Sequence, residues 1–505
     1  MKNLRVYFTS DLHGYVYPTD YLDNSRKDIG LLNCMNHFQK DGNTLIIDGG
    51  DTIQGSPFTN YLSNKDWDKH PMADIMNAAG YDYVTFGNHE FNYGYEYLKS
   101  YINHLDGKCL CTNIKDTTGE IEVLPYDIKV MENGLKVGII GFTTDFITRW
   151  ERSSNIENFK IEDVYASIEE CFDTVKEQVD IMIGIYHGGF EYDLTTNHKL
   201  SDSKENIAYK ICRDFTFDIL LTGHQHMPLE GQDLHGTYIV QTPHNGTRYI
   251  ELTMNYDEES GQKNFKSALR EASLPPKRDV YGRFLPLEEE VQRWLDTPVG
   301  HLSQELNPED HLTMARQGSP LANFINQIQL EESGADIACT SFANVIKGFN
   351  KNVTVRDILA TYPYPNTLVV LKVTKEVLKK ALERCASYFE YKDGEISISE
   401  SFLKPKVEHY NYDYFSNITY SFDLKKDIGN RVTSIRYQGK ELTSEDTLSL
   451  VMNNYRASGA GGYEFYCECE VDKEILIEMP EIIINYFTKH SFVDVDENTY
   501  IQVKV

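Results

Sequence analysis

The sequence predicts two α/β domains, a layered first domain and a smaller mixed α/β domain behind it. Two observations carry this. Between residue 4 and about residue 256, short runs rich in Val, Ile, Leu, Tyr and Phe alternate with helical stretches such as 74–79, 95–104 and 164–178, the alternation of an α/β layered fold. At 505 residues the chain is also too long for one hydrophobic core, so at least two domains are expected.

The predicted strands of the first half are Leu4–Phe8, Thr44–Ile47, Tyr83–Phe86, Ile181–Tyr186 and Asp218–Thr222. Each runs into a short polar segment: Asp11-Leu12-His13, Gly49-Gly50-Asp51, Gly87-Asn88-His89-Glu90, His187-Gly188-Gly189 and Gly223-His224-Gln225-His226. If these strands lie together in a sheet, the polar segments collect along its carboxyl edge, where open α/β sheets place their sites.

The first domain is assigned to residues 1–256. From 257 to 300 the character changes, through the acidic turn Asp257-Glu258-Glu259-Ser260-Gly261, the run Pro275-Pro276-Lys277-Arg278 and the charged helical stretch Leu287–Leu295. This reads as an interdomain connection containing a helix, and as the hinge of a domain closure. Residues 301–505 form the second domain. It opens with a helix that Ser319 caps and Pro320 starts, and continues with helix Lys375–Tyr388 and strands near Ile418–Phe422, Val432–Tyr437 and Leu448–Met452.

Composition excludes several functional classes. No apolar run approaches the roughly 18–20 residues that span a bilayer, so no membrane segment is expected. The net charge of −28, from 49 basic and 77 acidic residues, repels polyanions, and no basic track for a nucleic-acid polymer is visible. A phosphate-bearing partner is therefore expected to be small and held by metal. Nine cysteines, close together only at Cys109/Cys111 and Cys467/Cys469, lack zinc-knuckle spacing and read as reduced thiols. The N-terminal segment leaves no room for a leader's apolar core, which predicts a cytoplasmic chain, or a secreted or cell-surface one whose leader has been removed. Oligomeric state is not legible.

The strand-end segments carry the chemistry. Asp11 and His13 offer a hard oxygen and a borderline nitrogen, Asp51 follows a glycine turn, and Gly223-His224-Gln225-His226 adds two imidazoles. Asn88 is the rarer signal, because a carboxamide is a poor ligand recruited only to complete a shell. Five such segments in one order point to two divalent metals. The order and spelling resemble the calcineurin-like metallophosphoesterases over roughly residues 4–255, a β-sandwich flanked by helices.

That resemblance implies one metal held by Asp11, His13 and His226, another by Asn88, His187 and His224, and Asp51 bridging them. The metals, drawn from Mn, Zn, Fe, Co or Ni, would polarise a phosphoryl oxygen and acidify a shared water for attack on phosphorus. His89 would serve the phosphate and the leaving oxygen, giving His89, Asn88 and Asp51 as catalytic residues. Glu90 would orient a ligand or hold backbone. In 5′-nucleotidases of this family the motif usually continues Gly-Asn-His-Glu-Phe-Asp. Here Asn92 stands in place of that aspartate, so the motif lacks the negative charge that would favour a charged His89. Asn113, after a predicted strand 109–112, is a further phosphate-contact candidate, and His244 lies near the expected metal edge.

The second half resembles the C-terminal domain of 5′-nucleotidases and 2′,3′-cyclic-nucleotide phosphodiesterases, which binds the nucleoside by stacking the base between two aromatic rings. Tyr455, in Asn453-Asn454-Tyr455-Arg456-Ala457-Ser458-Gly459, is expected to be one ring. The other is expected from Tyr410-Asn411-Tyr412, with Tyr412 favoured over Tyr410. Arg456 is a further candidate for substrate contact, whereas Arg356 reads as a helix-start ion pair. The 5′-nucleotidase branch usually carries Asn-X-Gly-Gly-X-Arg, whereas this chain reads Thr340-Ser341-Phe342-Ala343-Asn344 without arginine. With Tyr362-Pro363-Tyr364-Pro365-Asn366-Thr367, Asn454-Tyr455-Arg456-Ala457 and Asn92, this favours the 2′,3′-cyclic-nucleotide 2′-phosphodiesterase/3′-nucleotidase branch. The expected partners are small-molecule nucleotides. The rivals are a 5′-nucleotidase or nucleotide-sugar hydrolase, and a non-catalytic metal- or nucleotide-binding regulatory protein.

Overall fold

Strand Lys2–Thr9 turns Leu4, Val6 and Phe8 into one core, and this period-two pattern organises the first of two units, Met1–Gln292, in the computed structural model. The structure describes all residues except Asn24, 200–203, 273–275, Lys277, Pro365, Pro405 and Leu476. Parts of the predicted 275–278 connection, and Pro365 of the 362–367 segment, therefore lie outside the described residues.

The first unit holds two six-stranded sheets. One runs in the order Lys263–Glu271, Arg248–Tyr256, Lys2–Thr9, Thr44–Asp48, Tyr83–Val84, Lys108–Cys109. The other runs Leu229–Leu234, Thr237–Gln241, Ile219–Thr222, Ile181–His187, Lys136–Thr143, Tyr126–Val130. Their facing sides share one core, in which Leu4, Val6, Phe8, Ile47 and Leu252 meet Ile139, Ile183, Ile185 and Leu221. The outer side of the second sheet buries Phe142, Met182, Tyr186 and Leu220 with residues of helices Val164–Lys176 and Ala208–Asp214. Strand Ile181–His187 is thus buried on both faces along its whole length, which explains its unbroken apolar run. This is a sandwich flanked by helices.

Parallel pairing aligns the strand ends. Thr9 pairs with Asp48 and Asp48 with Val84 in the first sheet, and Thr143 pairs with His187 and Tyr186 with Thr222 in the second. The polar segments that follow these strands therefore emerge together.

The boundary of the first unit differs from the 1–256 assignment, and residues 257–300 are not simply a connection. Strand Lys263–Glu271 pairs with Arg248–Tyr256 from Tyr256↔Lys263 to Arg248↔Glu271, so the acidic stretch 257–261 is a hairpin turn. Its charged residues carry the composition of a linker, but their backbone closes the hairpin, with Asp257 N donating to Gln262 O at 2.9 Å. Helix Arg278–Leu295 is tied to the first unit by the Tyr17 hydroxyl on Phe284 O at 2.9 Å and by the Arg283–Asp74 pair at 2.6 Å. The unit boundary falls inside this helix, after Gln292.

The second unit, Arg293–Val505, is built on a five-stranded sheet ordered Tyr414–Ser416, Ile337–Thr340, Thr447–Asn453, Leu368–Thr374, Glu470–Ile475. Its longest helix is Pro320–Ser333. Ser319 accepts from Ala322 N at its start, and Gly334, at φ 74°, ends it. Helix Lys375–Ala386 is capped by Thr374 and stops two residues short of the predicted Tyr388. Arg356 pairs with Asp296 at 2.8 Å next to the capping box of Thr354 and Asp357.

Candidate functional site

At the carboxyl edge of the first unit's sheets the chain turns sharply, and several of the predicted ligands occupy those turns. Asp11, His13, Asp51, His224 and His226 have φ of 57°, 47°, 55°, 69° and 56°, a left-handed region uncommon outside glycine but tolerated best by Asn, Asp and His. Backbone bonds hold them there: Asp11 N to Gly50 O at 2.9 Å and His13 N to Asp51 O at 2.7 Å. Gly87 is required by close approach, since a Cβ there would lie 2.2 Å from Asp51 Oδ1.

Two ligand sets result, Asp11/His13/His226 and Asp51/His187/His224, each with its donor atoms within 4.8 Å of one another. In the first, His226 Nε2 lies 3.2 Å from both His13 Nε2 and Asp11 Oδ1. In the second, His187 Nε2 is 3.2 Å from Asp51 Oδ2, and Asn88 Oδ1 is 2.9 Å from His224 Nδ1. All seven predicted ligands are thus brought together.

The outer nitrogens of three rings are already engaged: His13 Nδ1 with Gln54 O at 3.1 Å, His187 Nδ1 with Gly49 O at 2.7 Å, and His224 Nε2 with Glu205 at 2.9 Å. A ring that donates Nδ1–H to a carbonyl presents a lone pair at Nε2. His187 Nε2 is buried beside the Asp51 carboxylate and makes no hydrogen bond among the described residues, and a cation between the two would satisfy both. The residues fit two divalent ions.

Electrostatics agree with ligation. Burial pushes Asp11 up, but the hydrogen bond and charge of His226 outweigh it and hold the carboxyl well below its usual range. Burial also pushes Asp51 up, and His187 and His89 outweigh it in the same way. Burial lowers His13 to about 3, leaving it neutral. His187 is depressed by burial yet raised to about 10 by the Asp51 carboxylate, so a cation binding at Nε2 has a proton to displace there. The Asp51 charge acts on Asp11 and His13 as well as on His187.

Beside the ligands stands half-buried His89, its ring centroid 5.3 Å from that of His13. Its backbone N–H donates to Asp51 Oδ1 at 2.8 Å, and its Nδ1 lies 2.6 Å from Asn92 Oδ1. Asn92 Nδ2 in turn donates to Glu151 Oε2 at 2.5 Å. Glu90 is buried and accepts from the backbone of Gly87, Asp51 and Thr52 at 2.5–2.7 Å, so it shapes the Asp51 turn. His244 stacks on His226 at 4.7 Å. Glu205 and Glu151 escaped the sequence reading, because each lies outside any motif and reaches its partner across a fold-dependent gap.

Three predicted substrate contacts are corrected. Asn113 is fully buried; its Oδ1 accepts from Thr143 N and its Nδ2 donates to Thr143 O, so both ends of its amide stitch strand ends. Tyr412 is 2% exposed, donates to Ala315 O and packs on Tyr388 and Tyr414; it is a core ring. Arg456 is 1% exposed. It binds Asp413 at 2.9 Å, Ala460 O at 2.5 Å and Tyr410 O at 2.8 Å, so it holds the glycine-rich loop and the Tyr410 backbone instead of facing substrate.

Of the predicted stacking rings, Tyr455 reaches the surface and Tyr410 is half-buried, and Tyr364 lies near both. Tyr455 and Tyr364 are 36% and 43% exposed. The Tyr410 phenol, pushed up mainly by burial, also feels both of them, so the three share one neighbourhood. Tyr364 stands between two prolines in the sequence, and no local signal marks it there as a surface ring.

A sandwich whose strand ends gather two adjacent oxygen–nitrogen ligand sets has the make-up of a dinuclear metallophosphoesterase. Comparison with known proteins agrees: residues 4–228 match the calcineurin-like phosphoesterase family, and residues 298–468 match the 5′-nucleotidase C-terminal domain. A Staphylococcus aureus chain assigned as a 5′-nucleotidase, solved with alpha-ketoglutarate, is 31% identical with a TM-score of 0.90, over 100% of both chains. A 2′,3′-cyclic-nucleotide 2′-phosphodiesterase/3′-nucleotidase of Haemophilus influenzae is 25% identical over 90% of this chain and 80% of its own length. The trifunctional nucleotide phosphoesterase YfkN of Bacillus subtilis is 24% identical over 97% of this chain, which spans only 38% of that protein. The chain belongs to the calcineurin-like metallophosphoesterases with a 5′-nucleotidase C-terminal domain, a family of metal-dependent phosphoric ester hydrolases. Among the described residues, no helix is long and apolar enough to cross a membrane.

Proposed function

We propose that the chain opens 2′,3′-cyclic nucleotides to 3′-nucleotides and then releases phosphate from these. The observation that carries the reaction class is the pair of ligand sets at one edge, with half-exposed His89 beside them. Asp11, His13 and His226 would hold one divalent ion, and Asn88, His187 and His224 the other, with Asp51 shared. When bound, such ions supply Lewis acidity to a phosphoryl oxygen and lower the pKa of water. The chain's own contribution is orientation: Glu90 fixes the Asp51 turn, and Asn92 occupies Nδ1 of His89. That leaves His89 Nε2 to meet a phosphate or the leaving oxygen.

Nucleotides as the ester class are supported by Tyr455, Tyr410 and Tyr364, since a base presents a π face to any such ring. The cyclic and 3′ preference is supported by two arginines of the second unit. Arg356 and Arg456 are both buried in ion pairs, so neither is offered to phosphate, and the stretch 340–344 supplies none. A 5′-nucleotidase is the second reading, favoured by the 31% identity to the Staphylococcus aureus chain. All nine cysteines are free, which supports a reducing compartment.

Purified protein with Mn²⁺, assayed for phosphate release from 2′,3′-cyclic AMP, 3′-AMP and 5′-AMP, tests the proposal. Turnover of the first two, abolished in His89→Ala, is expected. A clear preference for 5′-AMP would replace it with the second reading.

A further inference from the structure

We propose that Glu151 is a positioning residue for His89, acting through Asn92. The inference begins with what each group can do. A carboxylate only accepts hydrogen bonds, whereas an asparagine amide donates at one end and accepts at the other. Asn92 Nδ2 lies 2.5 Å from Glu151 Oε2, and Asn92 Oδ1 lies 2.6 Å from His89 Nδ1. The amide therefore has one permitted orientation. Turned over, it would set its oxygen against the carboxylate of Glu151 and its NH₂ against the imidazole.

That orientation dictates the imidazole. With Asn92 Oδ1 as acceptor, His89 Nδ1 has to carry the hydrogen, so Nε2 is the edge presented to a phosphate ester. Asn92 by itself is indifferent, because it could donate or accept at Nδ1. Glu151 removes the choice. It supplies, one side chain further out, the directional information that an aspartate at position 92 would carry alone.

Glu151 is itself well fixed. Its Oε1 accepts from Arg152 N at 2.7 Å and from Asn155 Nδ2 at 2.9 Å, while its backbone N–H closes helix Ile147–Trp150 on Ile147 O at 2.9 Å. The two carboxylate oxygens thus divide the work, one tying the local loop and the other facing Asn92. Asn155 Nδ2 also reaches Asn92 O at 3.2 Å, which pins the backbone of Asn92 beside Glu151. Residues 59 apart in sequence are held as a unit.

The catalytic consequence rests on the phosphoesterase reading above; the ring geometry does not. Outer hydrogen-bond partners of this kind are worth about 10- to 100-fold in activity. Glu151→Ala is expected to lower kcat within that range while KM, metal content and melting temperature stay at wild-type values. Glu151→Gln keeps its one oxygen for the donors Arg152 N and Asn155 Nδ2 and turns its NH₂ toward Asn92, so alone it is expected to lose turnover as Glu151→Ala does. Asn92→Asp sets two carboxylates face to face and should impair turnover, whereas Asn92→Asp combined with Glu151→Gln rebuilds the hydrogen bond with its direction reversed and should recover it.

A second readout needs no activity. In metal-free protein labelled with ¹⁵N-histidine, in alkaline buffer, the His89 ring should be protonated at Nδ1 in wild type and shared between both nitrogens in Glu151→Ala. Wild-type turnover in Glu151→Ala overturns the proposal. So does a loss that is matched by lost metal or lower melting temperature, or one that Asn92→Asp combined with Glu151→Gln does not repair. If the wild-type protein cleaves none of the three nucleotides, the nucleotide reading fails, and the ¹⁵N spectra alone decide the role of Glu151.

Discussion

His13 Nε2 and His226 Nε2 face each other at 3.2 Å across 213 residues of sequence. His13 Nδ1 is turned toward Gln54 O, so its Nε2 lone pair points at the neighbouring ring. A pair of imidazole nitrogens so placed is stabilised by a shared cation. Saturating Mn²⁺ should therefore raise the melting temperature of the metal-free protein. A ligand at 100 times its Kd adds about 2.7 kcal/mol, or roughly 4–5 °C for a unit of 292 residues. In His226→Ala the shift should fall by half or more, as read by scanning fluorimetry; an undiminished shift would argue against ligation by this ring.

Glu90 gathers three backbone N–H groups from Gly87, Asp51 and Thr52. Each buried donor left without a partner costs about 1–3 kcal/mol, so Glu90→Ala should lose about 3 kcal/mol or more. Urea unfolding would show this as a lower midpoint with an unchanged slope.

Tyr455 and Tyr412 should respond in opposite ways. Tyr455→Ala removes an exposed ring and should weaken nucleotide binding by about 1–3 kcal/mol, seen chiefly in KM. Tyr412→Phe removes only a hydroxyl bonded to Ala315 O and should cost about 1 kcal/mol of stability with unchanged KM. The reverse pattern would restore Tyr412 as the stacking ring.

His70 gives the fold a pH dependence away from the metal ligands. Burial, with a smaller push from His104, lowers it to about 3, and neither ring nitrogen has a hydrogen-bond partner among the described residues. The ring is neutral when folded and titrates near 6.5 when unfolded, so the unfolded chain takes up the extra proton. Its contribution is complete above about pH 6.5 and is lost as pH falls toward 3. Between pH 6.5 and 5 the loss is about 2 kcal/mol. In His70→Phe, stability measured by denaturant at each pH should be flatter over this interval by that amount.

Legibility followed locality. The metal ligands could be read because each sits beside its own strand, and a parallel sheet converts adjacency to a strand end into adjacency in space. Ser319 and Pro320 declared a helix start for the same reason, since capping is settled within four residues. The 257–261 turn was misread because an acidic, glycine-ended segment is equally a linker and a hairpin turn, and only the pairing of Arg248–Tyr256 with Lys263–Glu271 decides between them.

The sequence by itself determined the layered fold, through the alternation of strands and helices, and the two metals, through residue types repeated at strand ends, while the phosphoester chemistry came with the family resemblance those segments carry. Only the tertiary structure decided which tyrosines face outward, that Arg456 is spent on Asp413, and that Asn92 is backed by Glu151. Burial and the direction of a hydrogen bond depend on what the rest of the chain packs against a side chain, and no local spelling records that.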